Sequence, residues 1–260
     1  MRFAKKSLGQ NFLIDLNIIK KIVNQIEINN RNVVEIGPGR GALTNLILQK
    51  KPKFLTLIEK DDFLFENLKS KYQNIKNLKI INKDILKINF EKNLKSNSII
   101  FGNLPYNIAS QILTQMIRMN WPSKYSDLIF MFQKEMGERI IGKFNTPKYG
   151  RLSILSNFKL KVVNRFHVSP NCFIPVPKVE SIVIHFKPIK KMFYKIKNIE
   201  NLEKVTRILF SNKRKMINKN IRKILNNKQL ESIKDLNLNS RPANLKPEKY
   251  YEITELFEKF

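Results

Sequence analysis

The sequence predicts a Rossmann-like α/β sheet followed by a small all-helical domain. Three observations carry that prediction. An apolar strand opens into a glycine-rich turn and then a helix between positions 33 and 48. Each of the next three apolar runs ends in an acid or an amide, Glu59, Asp84 and Asn103. After Pro188 the strand signal stops, and the pattern to the end is helical and strongly basic. The division expected on this basis is 1–188 and 189–260.

In chain order, Ser7-Leu8-Gly9-Gln10-Asn11-Phe12-Leu13 precedes a helical run with apolar residues at Ile18, Ile19, Ile22, Val23 and Ile26, which Asp15 or Asn17 can cap. The segment from Gln10 to Leu13 reads either as an arm over a ligand or as a loosely ordered end. Val33-Val34-Glu35-Ile36-Gly37-Pro38-Gly39-Arg40-Gly41 reads as strand and turn, with a helix from 42 to 48. Its glycines let a ligand approach the main chain. The Gly-x-Gly-x-Gly spacing after an acidic strand residue suits an adenosyl ligand without pyrophosphate better than a dinucleotide. The second strand, 53–59, ends in Glu59, where folds of this kind hold ribose hydroxyls. The third, 78–82, leads to Asp84. Taken singly, either acid also reads as a helix cap.

The fourth run, Ser98-Ile99-Ile100, leads into Phe101-Gly102-Asn103-Leu104-Pro105-Tyr106. Proline keeps Leu104 out of the helical region, so its carbonyl stays clear of helix bonding. That carbonyl and the Asn103 side-chain oxygen together make two acceptors for one amino group, and Tyr106 offers a ring face beyond them. A helix over 108–119 and a strand over 127–133 follow. The turn from 143 to 151 is polar and basic, a surface loop or an RNA contact. Strands over 159–166 and 179–186 flank Cys172-Phe173-Ile174-Pro175-Val176-Pro177-Lys178, whose prolines stiffen a loop. Phe173 is either the far wall of a base pocket or a hydrophobic plug. From 187 to the end there are 19 basic and 8 acidic residues. Lys213, Arg214 and Lys215 sit on an expected helix whose other face carries Leu209, Phe210, Ile217 and Ile221, an arrangement suited to phosphate contacts.

Composition narrows the function. Forty-nine basic against 21 acidic residues give a formal net charge of +28, which calls for a polyanionic partner, nucleic acid or an anionic membrane surface. A hydrophobic content of 42% excludes general disorder. No apolar run approaches the roughly 18 residues of a membrane span, and the basic start from Met1 to Lys6 has no apolar core of a secretory signal behind it. One cysteine, Cys172, and two histidines, His167 and His185, argue against disulfides and a structural metal, and for a reducing, cytoplasmic setting.

If the ligand is S-adenosylmethionine, whose sulfonium methyl is already electrophilic, the site needs only an amine with its lone pair aimed at that methyl. Hydrogen bonds from an adenine amine to Asn103 and the Leu104 carbonyl would favour a tetrahedral nitrogen with an available lone pair, so that no strong base is required. The base must be flipped out or unpaired, and stacked on Tyr106.

These motifs together resemble the ribosomal RNA adenine N6-dimethyltransferase family. The likeness covers nearly the whole chain, through Gly9-Gln10-Asn11-Phe12-Leu13, the glycine turn, Glu59, Asp84, Asn103-Leu104-Pro105-Tyr106-Asn107-Ile108 and Phe173-Ile174-Pro175-Val176-Pro177-Lys178-Val179-Glu180-Ser181. It implies a class I methyltransferase sheet that binds S-adenosylmethionine through Asn11, Leu13, Gly37, Gly39, Glu59, Asp84 and Asn103. Glu59 would lie on the ribose and Asp84 near the cofactor adenine, with the N-terminal arm as a lid. Catalysis is expected through Asn103, Leu104 and Tyr106, and the local residue patterns, not the resemblance, give the expected substrate contacts of Tyr106, Phe173, Lys213, Arg214 and Lys215. Leu104 and the Tyr149-Gly150-Arg151-Leu152-Ser153 segment resemble the bacterial small-subunit branch linked to kasugamycin sensitivity. Its members dimethylate two adjacent adenosines in the 3′-terminal hairpin loop of 16S rRNA, and a monomer acting without a metal or a membrane is expected. The alternatives are 23S rRNA methylation of the macrolide-resistance type, a non-catalytic ribosome-assembly or transcription factor on the same fold, and a DNA adenine methyltransferase. Such DNA enzymes usually show Asp-Pro-Pro-Tyr. After Pro188 the likeness weakens, at Ile217-Asn218-Lys219.

Overall fold

The computed structural model describes residues 10–105 and 108–259. Tyr106 and Asn107, and the residues before Gln10, lie outside the described residues. In order, the elements are β1 (Phe12–Leu13), α1 (Leu16–Val23), β2 (Asn32–Ile36), α2 (Ala42–Gln49), β3 (Phe54–Glu59), α3 (Asp62–Lys71), β4 (Leu78–Asn82), α4 (Phe90–Asn93), β5 (Ser98–Asn103), α5 (Ala109–Arg118) and β6 (Tyr125–Gln133). There follow α6 (Lys134–Ile140), α7 (Arg151–Lys159), β7 (Leu160–Val168), β8 (Phe173–Ile174), β9 (Ser181–Pro188), α8 (Ile199–Leu209), α9 (Asn218–Ile221), α10 (Asn227–Glu231) and α11 (Pro247–Phe257).

Seven strands form one sheet in the order β4-β3-β2-β5-β6-β9-β7. The pairs from β4 to β6 are parallel, and β9 runs antiparallel to β6. Parallel strands are buried on both faces and so read as continuous apolar runs. Residues 98–102 are accordingly all buried. The chain leaves β2 towards β3 and β4, then returns to the other side of β2 as β5. That reversal is the topological switch point of an open α/β sheet, where such folds leave a crevice at the carboxyl ends of the strands. The core includes Val33, Leu55, Leu57, Ile99, Phe101, Ile129 and Val183, with α1 contributing Ile19, Ile22 and Val23. Asp15 caps α1, its Oδ1 accepting the N–H groups of Asn17 and Ile18 at 2.9 Å.

The chain separates into two compact units. The first holds residues up to Gly137 together with Val162–Pro188, the second Glu138–Lys161 with Ile189–Phe260. Residues 138–161, which the sequence expectation places with 1–188, group with the second unit. Aromatic packing explains this. In the second unit, Phe158 of α7 lies 5.0 Å from Tyr251 of α11, and the Tyr251 hydroxyl donates to the Ile154 carbonyl at 2.9 Å. Tyr149, just ahead of α7, donates to the Leu245 carbonyl at 2.9 Å. The continuous helix expected around Lys213 is also corrected. α8 ends at Leu209, a 3₁₀ turn covers Phe210–Asn212, and α9 starts only at Asn218. Residues 211–216 are all exposed, so no apolar residue holds a helix there against a core. Lys213, Arg214 and Lys215 stand on a connecting loop.

Candidate active site

A cleft of about 610 Å³ opens in the first unit beside the switch point. Its lining includes Asn11 and Leu13 of the N-terminal arm, Gly37 and Gly39 of the turn after β2, Glu59 at the tip of β3, Asp84 beyond β4, and Asn103 and Leu104 at the tip of β5. Every cofactor-contacting residue expected from the sequence therefore faces one space. Of the expected catalytic residues Asn103 and Leu104 do so, and Tyr106 lies outside the described residues.

Register explains the convergence. Ile36 stands opposite Gly102 on the neighbouring parallel strand, so Gly37 and Asn103 leave the sheet side by side. A Cβ on Gly37 would meet the Asn103 carbonyl oxygen at 3.5 Å. Gly41 caps α2 at φ +81°, and a Cβ there would lie 2.5 Å from the Tyr72 hydroxyl, so both conformation and space require glycine. At β5, the Leu104 side chain folds back over Gly102, where a Cβ would lie 2.6 Å from it. The Pro105 carbonyl accepts from the N–H groups of Ile108 and Ala109 at 3.1 Å and so starts α5.

Glu59 is the electrostatic centre. Its Oε1 accepts the N–H groups of Lys60 and Asp61 at 2.9 Å, and its Oε2 accepts that of Gly39 at 3.1 Å. This one carboxylate ties the tip of β3 to the glycine turn. Burial raises its pKa, and the three backbone N–H groups oppose the rise. Behind it, Glu35 is buried in β2 and accepts the Thr44 hydroxyl at 2.6 Å. Burial, assisted by repulsion from Glu59 and opposed by the Thr44 bond, pushes its pKa up to about 7. Asp84 caps the short 3₁₀ turn after β4 through the Leu86 N–H at 3.0 Å and pairs with Lys60 at 2.8 Å. The Lys60 ammonium holds its carboxyl below the usual range. Both expected roles of Asp84, cap and cleft wall, thus coincide in one residue.

The arm is part of the wall. β1 pairs antiparallel with β8, Phe12 opposite Ile174 and Leu13 opposite Phe173. Asn103 Nδ2 donates to the Asn11 carbonyl at 3.5 Å, which leaves the amide oxygen as the acceptor end for a ligand. Gln10 donates to Asp61 at 3.2 Å, and the Arg40 guanidinium lies 4.5 Å over the Phe12 ring. Arg40 and Lys60 are cleft residues to which sequence reasoning gave no role, and Gln10 and Phe12 had one only as part of the arm. Gln10 and Phe12 sit inside the Gly-Gln-Asn-Phe-Leu motif, and Arg40 sits inside the glycine motif.

Phe173 requires a correction. It is 1% exposed, packs in the core cluster opposite Leu13, and is not among the cleft residues. Its burial makes it the plug rather than the wall of a base pocket. Cys172 is also buried, with its thiol 3.8 Å from the Asp15 carboxylate, and burial raises its pKa, the opposite of what a nucleophile needs. Among the described residues no cluster of His, Cys, Asp and Glu is arranged to hold a metal, and no helix is long and apolar enough to cross a membrane.

The comparisons with known proteins follow the same lines. Residues 1–259 match the family model described as ribosomal RNA adenine dimethylase. Ribosomal RNA small subunit methyltransferase A of Pelagibacter ubique is 46% identical over 258 residues, 98% of this chain and 97% of that one. The protein of the same name from Malacoplasma penetrans is 39% identical over 96% of this chain and 91% of its own. A dimethyladenosine transferase from Plasmodium falciparum superposes with a TM-score of 0.76 at 25% identity, covering 93% of this chain and 95% of that structure. The 23S rRNA methyltransferase ErmE shares the fold, with a TM-score of 0.70 at 23% identity over 95% of this chain and all of its own. With glycine turn, fixed carboxylate and Asn-Leu-Pro tip on one cleft and the whole-chain match beside them, the chain belongs to the ribosomal RNA adenine dimethylase family.

Proposed function

We propose that this chain transfers methyl groups from S-adenosylmethionine to the N6 amine of two adjacent adenosines in the 3′-terminal hairpin loop of small-subunit ribosomal RNA, in the cytoplasm during subunit biogenesis. The observation that carries the reading is the position of Asn103, at the carboxyl tip of β5 and beside the glycine turn, on the wall of a single 610 Å³ cleft. The names of the relatives from Pelagibacter and Malacoplasma support the small subunit as the substrate.

The residues fit an adenosyl cofactor. Gly37 and Gly39 bring bare main chain to the cleft wall, and Glu59 presents a carboxylate held by three backbone donors. When bound, the cofactor supplies an electrophilic methyl on sulfur. Glu59 would accept the ribose hydroxyls and Asp84 would border the cofactor adenine, while Asn11 and Leu13 line the cleft from the arm. Asn103 Oδ1 and the Leu104 carbonyl accept the two N–H bonds of the target amine. That grip would orient the nitrogen and favour pyramidal geometry, so that its lone pair is released from the ring and available to an electrophilic methyl. Positioning of this kind contributes several kcal/mol to a transfer that needs no strong base. Tyr106 supplies the stacking face. Lys213, Arg214 and Lys215, exposed together on their loop, contact backbone phosphates.

The test is incubation with labelled S-adenosylmethionine and unmethylated small subunits, followed by mapping of modified bases. Asn103→Ala is expected to bind the subunit as the parent does and to lose methyl transfer. An active Asn103→Ala protein, or label at other sites, would overturn the reading.

A further inference from the structure

Among the described residues ten large apolar side chains are markedly exposed, and five of them, Ile14, Leu16, Ile174, Val176 and Val179, come from two short segments. The β1–β8 pairing joins those segments. Leu13 and Phe173, opposite one another, turn into the core at 3% and 1% exposure. Side chains alternate along a strand, so the next pair, Phe12 and Ile174, faces outward. Ile14 follows on that outward face, its N–H bonded to the Cys172 carbonyl at 2.8 Å, and remains 48% exposed. Ile174 is 51% and Val176 60% exposed. Phe12, Ile14 and Leu16 also line the cleft, and the Phe12–Ile174 pair carries the strip from the cleft lip onto the surface. Clustered exposure of this kind marks a binding surface rather than scatter.

The charges around the strip point to the occupant. The acids nearby are engaged, Asp15 as the cap of α1 and Glu180 in an ion pair with Lys134 at 2.5 Å. The neighbouring cations Arg40 and Lys178 are exposed. An apolar strip rimmed by cations and continuous with the cleft suits unstacked bases on a phosphate backbone.

We propose that the outward face of the β1–β8 ribbon is a subsite for the unpaired RNA nucleobases that flank the target adenosine. The proposal rests on the function given above and adds to it a place where the neighbouring nucleotides are held while the target occupies the cleft. Ile174 and Val176 lie outside the cleft lining, so their loss should separate RNA recognition from cofactor binding.

The experiment compares Ile174→Ser, Val176→Ser and the conservative Ile174→Leu with the parent chain on unmethylated small subunits. Each serine variant is expected to raise KM for the subunit about tenfold, the scale of losing one partly buried aliphatic contact. Expected alongside are an unchanged kcat, Kd for S-adenosylhomocysteine and thermal midpoint, and recovery of KM in Ile174→Leu. A photo-crosslinking amino acid at position 174 should attach to RNA beside the methylated adenosines. Unchanged KM in both serine variants would overturn the subsite, as would a crosslink to a ribosomal protein or to a second copy of this chain. A parent chain that did not methylate the subunits at all would instead sink the functional reading beneath it.

Discussion

Glu59→Gln tests the site at its most connected point. The carboxylate has donors on both oxygens, and an amide has only one oxygen to offer. Turned one way, the new NH₂ faces the N–H groups of Lys60 and Asp61. Turned the other way, it faces the Gly39 N–H. The second costs less, since a single donor is stranded. Even so, it replaces the charge-assisted bond that fixes the glycine turn, and such a bond is worth about 1.5–3 kcal/mol. Since the same carboxylate is proposed to hold the ribose, the loss should fall on cofactor binding, as a rise in Kd of about 10- to 100-fold. Global stability should move little, because removing a carboxylate whose pKa burial raises offsets the lost bond. Calorimetric titration with S-adenosylhomocysteine, beside urea unfolding of the same samples, separates the two quantities. A glutamine variant that binds with the parent's affinity would refute the argument that this carboxylate builds the cofactor site.

Other consequences can be checked as readily. Glu35 has a folded pKa near 7 against an ordinary value of 4.5, so between those values the unfolded chain releases its proton first and stability falls as pH rises, by on the order of 3 kcal/mol. Glu35→Gln, which keeps an acceptor for Thr44, should flatten that slope, and urea midpoints at pH 5, 6 and 8 measure it; an unchanged slope would assign the pH dependence elsewhere. Gly41→Ala should cost about 2–3 kcal/mol, from left-handed strain and displacement of the Tyr72 hydroxyl from its 2.7 Å bond to Asn45. Combining it with Tyr72→Phe should cost about 1 kcal/mol less than the sum of the two single changes, whereas strict additivity in a double-mutant cycle would mean that the two groups do not collide. Replacing Lys213, Arg214 and Lys215 by Ala should lower the slope of log K against log salt for RNA binding by about 1 per lost phosphate contact, and a parallel line on the same plot would remove the loop from the phosphate-binding face.

The parts of this protein that were legible in its sequence are those written locally. The strand–turn–helix around Gly37, the acid at the end of β3 and the Asn-Leu-Pro tip of β5 each need only neighbouring residues to be recognised, and parallel topology then brings them together. What could not be read depends on distant packing. The β1–β8 ribbon has two residues a side, too short for any periodicity to announce it. Its formation decides both that Phe173 is a core plug and that the arm walls the cleft. Residues 138–161 join the helical unit through aromatic contacts with α11, which no local pattern encodes. Between Leu209 and Ile217 the apolar spacing looked helical on paper. Residues 211–216 are all exposed, and the chain turns there instead.

The ribbon also sets an order of events during synthesis. Phe12 leaves the ribosome early, but Ile174, its partner, lies about two-thirds of the way along the chain. Until that later stretch has emerged, the arm has nothing to pair with and one wall of the cleft cannot form. A nascent chain stalled before Phe173 would therefore hold cofactor poorly, even with every glycine and acid of the site already translated. Catalytic competence arrives with one of the last strands of its unit, not with the motifs that advertise it.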